Sequence, residues 1–244
     1  MKRILVIGGT SAMIRESLRM FAKEGSKIYI TGRTESKLTS IADELKVLGA
    51  DVKEECIDLD LSDEHLNFIK RAAEYLEKID IAILAHGINI PQAEADSNIE
   101  SGRKMIQTNF VSYVSLLTLI ANQMIEQGSG KIAAIVSVAG DRGRQSNFLY
   151  GATKAALDTY LSGLRNKLHK YGIKVISIKP GYVDTPMTAG FPHNPLFTSA
   201  KEAGELIFKA ISVEKDIVYI PWFWRWILTI IKIIPEQIFK RMRL

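Results

Sequence analysis

Arg3-Ile4-Leu5-Val6-Ile7-Gly8-Gly9-Thr10-Ser11 is the stretch that decides the fold. An apolar run of strand length enters a two-glycine turn. From Ala12 to Lys23 the pattern becomes helical, until Gly25 stops it. The rest of the chain repeats this alternation. Strands are expected at 27–31, 52–59, 81–85, 131–137, 174–178 and 217–220. Helices are expected between them at 36–48, 62–78, 98–107, 109–127, 149–169 and 199–211. Ser199-Ala200-Lys201-Glu202 has the spacing of a capping box, and Ser62 can cap the third helix. The 81–85 strand is apolar throughout, as a strand covered on both faces must be. Strands that alternate with helices imply right-handed crossovers, hence a Rossmann-type doubly wound α/β fold with a seven-stranded parallel sheet. No repeat, low-complexity tract or linker interrupts it. One domain over residues 1–220 is expected, with a C-terminal apolar and basic helical tail over 221–244.

Composition fits one globular domain of 244 residues, with 47% apolar and 24% charged positions. Cys56 is the single cysteine, which excludes an internal disulfide framework and suits a reducing compartment. The apolar run before Gly8 is too short for a signal peptide, so a cytoplasmic location is expected. No His/Cys/Asp cluster suggests a metal. Of the net charge of +5, the tail carries +4, because Arg225, Lys232, Lys240, Arg241 and Arg243 face only Glu236. A nearly neutral body argues against nucleic acid as a partner and gives the tail a local role. All three tryptophans, Trp222, Trp224 and Trp226, introduce an apolar stretch that reaches Pro235 after thirteen residues. A membrane-spanning helix takes about 20 apolar residues, so this one is too short. Aromatics mixed with Lys and Arg suit a helix lying at a membrane surface. Burial at a subunit interface or on its own domain is the alternative.

Chemistry concentrates in Tyr150-Gly151-Ala152-Thr153-Lys154. A tyrosine and a lysine four apart on a helix share a face. A neighbouring ammonium lowers a phenol's pKa and makes it usable as a general acid or base. Ser137, thirteen residues upstream, emerges where an apolar strand ends, the usual place for ligands in open α/β sheets. Between them, Asp141-Arg142-Gly143-Arg144-Gln145-Ser146-Asn147 is unusually polar. Arg142 and Arg144 are either a grip for an anionic part of the substrate or surface arginines, with an Asp141–Arg142 pair as one form of the latter. Residues 185–198, with Pro186, Gly190, Pro192 and Pro195, read as a lid over the substrate or an ordinary long loop.

Taken with Gly8-Gly9-Thr10-Ser11, with Asn109 in Thr108-Asn109-Phe110, and with Lys179-Pro180-Gly181-Tyr182-Val183-Asp184-Thr185, these motifs make the chain resemble the short-chain dehydrogenase/reductase family from residue 1 to about 220. The resemblance implies a catalytic tetrad of Asn109, Ser137, Tyr150 and Lys154. In it Ser137 steadies the substrate oxygen, Tyr150 donates the proton, and Lys154 binds the nicotinamide ribose and tunes the phenol. Asn109 holds a water behind the lysine. It also implies cofactor contacts from Gly8, Thr10, Ser11, Asp60, Leu61, Gly87, Val183 and Thr185, besides Tyr150 and Lys154. Of the family's Gly-x-x-x-Gly-x-Gly, only Gly8 is kept; Ala12 and Ile14 stand at the other glycines, and Ile14 is expected to displace the helix or the loop. After strand two, Arg33 stands where an acidic residue would favour NADH. Its planar donors suit a 2′-phosphate, so NADPH is expected over NADH, with a solvated surface arginine as the competing reading. Ala85-His86-Gly87 departs from the family's usual Asn-Asn-Ala-Gly, and His86 is read as a spacer along the cofactor.

Ala-His-Gly after strand four, Gly-Asp-Arg-Gly-Arg before the tyrosine and an aromatic-basic tail resemble a bacterial subgroup that includes decaprenylphosphoryl-2-keto-ribose reductase. The function implied is an NADPH-dependent reductase of a ketone, with a lipid-linked keto-sugar at the cytosolic membrane face as one substrate class. Two alternatives stay open. One keeps the chemistry on a soluble ketone or acyl substrate and uses the tail for oligomerisation. The other is a catalytically idle NADP-binding subunit that recruits a partner to the membrane. The family resemblance also implies a homo-oligomer paired through the two long helices, whose apolar positions (Leu116, Leu117 and Ile120; Ala156, Tyr160 and Leu164) face either a partner or the sheet.

Overall fold

The computed structural model describes residues 1–191 and 194–242. In chain order its elements begin with β1 (Arg3–Ile7), α1 (Ala12–Lys23), β2 (Lys27–Gly32), α2 (Glu35–Val47), β3 (Asp51–Cys56), α3 (His65–Leu76) and β4 (Ile81–Leu84). Then come α4 (Gln92–Ser97), α5 (Ile99–Ile106), α6 (Ser112–Gln127), β5 (Lys131–Ile135), α7 (Phe148–His169) and β6 (Lys174–Pro180). The chain closes with β7 (Val183–Asp184), β8 (Thr198–Ser199), α8 (Ala200–Ser212), β9 (Ile217–Ile220), α9 (Trp224–Ile233) and α10 (Glu236–Phe239).

Seven strands form one sheet in the order β3-β2-β1-β4-β5-β6-β9, and every pairing is parallel. The strand order reverses beside β1, where β2 lies on one side and β4 on the other, and this is the switch point at which open sheets bind ligands. One core face packs Leu5, Tyr29, Leu84 and Ala134 under Phe68, Leu116, Leu117, Ile120, Leu157 and Leu161. The opposite face packs Ile4, Val6, Ile30 and Ile176 under Ile14, Leu18, Leu38 and Ile207.

Several expectations are refined here. Leu116, Leu117 and Ile120 are completely buried in the core, which assigns that face of α6 to the sheet. Ser199 caps α8 as its spacing predicts, its hydroxyl accepting from the Glu202 amide. Between α5 and α6 a π-helical turn over Gln107–Val111 replaces the plain junction expected there. β7 and β8, too short to carry a periodic signal, pair in parallel and fasten the two ends of the expected lid. Pro192 of that lid and Arg243 of the tail lie outside the described residues. Ile14 is fully buried against Ile4 and Ile30, so its side chain fills space under α1.

Candidate active site

The β1–α1 turn shapes the first wall of the site. Gly8 adopts φ +82°, and a Cβ there would stand 2.5 Å from the His86 amide nitrogen, so only glycine lets the turn lie against the end of β4. Ser11 occupies the N-cap of α1 without a side-chain cap, and the first turn has no acidic residue. The amides of that turn and the Thr10 and Ser11 hydroxyls are therefore available to an anion. Arg33 and Lys37, four residues apart where β2 hands over to α2, line the same wall. Both are exposed, and neither has an ion pair or hydrogen bond among the described residues. An uncapped helix N-terminus with two free cations beyond it fits a dinucleotide carrying phosphates at both places.

This wall borders a cleft of about 420 Å³. Gly8, Thr10, Ser11, Asp60, Gly87, Val183 and Thr185 line it, as do Ser137, Tyr150 and Lys154. Leu61 does not. It precedes a short 3₁₀ turn with its side chain 59% exposed, and Asp58 and Leu59 take the wall position expected of it. The reason is the turn itself: once Asp60 faces the cleft and hydrogen-bonds Thr108 Oγ1 (2.8 Å), its neighbour points outward.

Ser137 stands two residues past β5, where its Oγ accepts from the Ala139 amide (3.1 Å). Tyr150 and Lys154 sit one turn apart in α7. Lys154 Nζ donates to the Ile135 carbonyl (3.1 Å) and lies 5.8 Å from the Tyr150 ring centroid. Burial lowers Lys154 to about 8. Burial also pushes the Tyr150 phenol up to about 12, its hydrogen bond with Ser137 acting in the other direction. The helical spacing led to the expectation that the ammonium lowers the phenol. In this structure desolvation dominates both groups, and the phenol moves up.

Asn109 lies in the π turn, fully buried behind the cleft wall. Its amide clamps the Ile88 backbone, Oδ1 accepting from the N–H and Nδ2 donating to the C=O, both at 2.8 Å. Nδ2 also reaches Thr153 Oγ1 at 3.3 Å, one residue before Lys154. π turns recur at functional sites because the extra residue turns one side chain inward. His86 stacks on Tyr113 at 4.0 Å and hydrogen-bonds Ser112 through Nε2 (2.8 Å); burial holds its pKa well below the ordinary imidazole value. His86 is thus a neutral, stacked imidazole at the cleft wall.

The opposite wall was not legible in the sequence. Trp224 of α9 fills the space in which a Cβ on Gly181 would stand, and packs edge-on to Tyr182 (5.5 Å). Trp224, Leu228 and Val138 form a separate buried cluster next to the cleft. Asp141 is tied to Lys179 (2.7 Å) and Tyr219 (2.7 Å), and Lys179 also pairs with Asp158 (2.8 Å). Burial alone would lower Lys179, but its hydrogen bonds to the two aspartates more than reverse this. Arg142 turns away from the cleft. It donates to the carbonyls of Ile231 and Ile234, pairs with Glu236 (2.9 Å) and lies 3.6 Å over the Phe239 ring. Neither reading of Arg142, as a substrate grip or as a surface arginine paired with Asp141, describes this clasp on the tail, which forms because carbonyls at the end of α9 lie within its reach. Arg144 does line the cleft, as does Asn147. Lys37, Asn147 and Trp224 were missed as site residues. Only Lys37, one helical turn from Arg33, left a usable signal.

Residues 2–213 match the family described as short chain dehydrogenase. A Mycobacterium tuberculosis protein named as an uncharacterized oxidoreductase is 31% identical over 240 residues, covering 98% of this chain and 96% of its own length. Another so named, from Staphylococcus epidermidis, is 32% identical over 194 residues, covering 78% of this chain and 81% of its own. Among solved structures, a putative short-chain alcohol dehydrogenase from Sinorhizobium meliloti superimposes with a TM-score of 0.82 at 20% identity, covering 92% of this chain and 96% of that one. A short-chain type dehydrogenase/reductase from Mycobacterium ulcerans gives 0.78 at 20% identity, with 89% and 87% covered. The chain belongs to the short-chain dehydrogenase/reductase family and is an NAD(P)-dependent oxidoreductase acting on CH–OH or C=O groups.

Proposed function

We propose that this chain is an NADPH-dependent reductase of a ketone, working at the cytosolic membrane face on a lipid-linked keto-sugar, in the bacterial subgroup that includes decaprenylphosphoryl-2-keto-ribose reductase. The observation that carries the reading is that Ser137, Tyr150 and Lys154 share one cleft with the uncapped N-terminus of α1 and the unpaired Arg33. NADPH supplies the hydride when bound. Thr10, Ser11 and the first amides of α1 hold its pyrophosphate, Arg33 with Lys37 its 2′-phosphate, and Asp60 borders its adenine. Gly87, Val183 and Thr185 flank the nicotinamide end.

The remaining chemistry belongs to the side chains. With a pKa of about 12 the Tyr150 phenol is protonated at neutral pH and gives its proton to the substrate oxygen as that oxygen becomes an alkoxide. Ser137 donates a hydrogen bond to the same oxygen. Lys154, charged below about pH 8, binds the ribose hydroxyls and stabilises the phenolate left behind. Asn109, by clamping Ile88 and Thr153, holds the backbone on either side of Lys154 and orders a water behind it.

The tail supports the membrane part of the reading and sets residues 221–244 functionally apart from 1–220. Trp224 and Leu228 are buried against the body. Trp222, Trp226, Ile230 and Ile233, spaced four, four and three apart, are 72%, 61%, 62% and 74% exposed. Arg225, Lys232, Lys240 and Arg241 accompany this stripe. At ten residues α9 is about 15 Å long, and among the described residues no helix is long and apolar enough to cross a membrane. A helix of this kind lies in the headgroup layer. Phe191 of the lid is 6.0 Å from Tyr182, which packs edge-on to Trp224, so the lid adjoins the buried edge of the helix that carries the stripe.

NADPH oxidation by the purified protein over a panel of ketones and membrane-lipid extracts tests the reading. Turnover with NADH alone, or undiminished turnover in Tyr150→Phe, refutes it. Flotation with anionic liposomes, comparing wild type with Trp222→Ser/Trp226→Ser, tests the membrane role and spares the buried Trp224. If the wild type stays off liposomes and the variant breaks up an oligomer, the stripe is a subunit contact and the substrate a soluble ketone or acyl compound. Pairing of two copies through the outward faces of α6 and α7 is part of the proposal, and sedimentation velocity reads it.

A further inference from the structure

Two arginines two residues apart on the loop between Ser137 and Tyr150 have opposite fates. Arg142 is consumed by carbonyls, a carboxylate and a ring of the tail. Arg144 is partly buried on the cleft wall, and its Nε is out of contact with water. Its guanidinium has no hydrogen bond or ion pair among the described residues. Beside it Asn147, whose backbone N–H donates to the Arg144 carbonyl (3.1 Å), lines the same cleft and has a buried Oδ1 with no partner among the described residues. A buried guanidinium donor and a buried amide oxygen left unsatisfied cost stability, and native proteins retain such groups where a ligand satisfies them. Asp141, the nearest acid in sequence, is fully engaged by Lys179 and Tyr219, so the charge of Arg144 is not neutralised locally.

We propose that Arg144 and Asn147 form an oxyanion-binding subsite that selects ketones carrying a phosphate or carboxylate, Arg144 donating to the anion and Asn147 Oδ1 accepting from a neighbouring substrate hydroxyl. The inference rests on the reductase reading, since it places the anion in the same cleft as Ser137 and Tyr150. Arg142 contributes indirectly: by fixing the loop to α9 and α10 it holds Arg144 against the wall.

The test is calorimetric and needs no turnover. Full-length protein is saturated with NADP+, which occupies Arg33 and the α1 N-terminus and cannot reduce a ketone. It is then titrated with dihydroxyacetone phosphate against dihydroxyacetone, and with levulinate against its methyl ester. The charged member of at least one pair binds more tightly by ten- to a hundredfold, the order expected for a charge-assisted bond in a partly dry site. The pair that discriminates tells phosphate from carboxylate. Arg144→Gln abolishes the preference, and Arg144→Lys, which keeps the charge without the fork, retains part of it. Equal affinities within both pairs, no binding of either charged ketone, or a preference that survives in Arg144→Gln overturns the subsite. Failure of the wild type to bind NADP+ appears in the first titration and sinks the parent reading instead.

Discussion

The two walls of the cleft are built by different rules. The wall formed by β1–α1 and β2–α2 is local: Gly8, Thr10, Ser11, Arg33 and Lys37 come from two successive strand–helix turns, and the polar side chains among them have no partners among the described residues. The wall formed by 138–147, Gly181, Tyr182 and α9 joins segments up to 94 residues apart, and its polar groups are largely spent on one another. A wall made for a constant ligand keeps its donors free and rigidly placed. A wall made for a particular substrate has to be assembled, and here the tail supplies the mass that assembles it. Arg144 is the exception, a free cation on the assembled side.

Substitutions at these positions break or sharpen the contrast, and the largest effect belongs to the residue between the walls. Tyr150→Phe lowers kcat about a thousandfold and weakens NADPH binding far less, as steady-state kinetics beside fluorescence titration will show. On the assembled wall, Trp224→Ala removes the ring packed on Gly181 and costs about 3 kcal/mol, seen calorimetrically as a Tm lower by roughly 10 °C. Trp226→Ala, two residues away on the exposed stripe, changes stability by less than about 0.5 kcal/mol but weakens liposome flotation. Equal effects of the two would show that the tail is not docked as described.

Lys154→Met reverses the usual sign. Because burial lowers the ammonium from 10.5 to about 8, the lysine destabilises the fold fully below pH 8, where it is charged in both states. The penalty shrinks as pH rises from about 8 to 10.5, since the unfolded chain then binds more protons than the folded one. The methionine variant is therefore more stable at pH 7 by about 2 kcal/mol, inactive, and without this pH dependence in urea titrations. The smallest effect lies on the local wall: Arg33→Ser lowers the preference for NADPH over NADH by about tenfold, read from the two KM values.

Legibility followed the same division. The strand–helix alternation, the capping of α8 by Ser199 and the arrival of Ser137, Tyr150 and Lys154 at one cleft were all readable, because each depends on periodicity or on spacing within one or two turns. Leu61 was misread because facing the cleft or the solvent is decided by one residue of a 3₁₀ turn. Arg142 stayed open between a substrate grip and a surface arginine because its acceptors are backbone carbonyls some ninety residues away, which no local pattern announces. The raised Tyr150 phenol was missed because helical spacing specifies a neighbour but not how much water the pair loses.

By itself, then, the order of residues determined the parallel sheet and the chemical identity of the groups gathered at its strand ends, since strand alternation and short turns are enforced within a few residues. The tertiary structure alone decided that α9 is divided between a buried edge, Trp224 and Leu228, and an exposed one, Trp222, Trp226, Ile230 and Ile233. It also decided that of two neighbouring arginines one holds the tail and the other faces the cleft. Burial and hydrogen-bond partnership belong to the packed surface, and a helix carrying apolar side chains on both its faces does not specify which face will find the body.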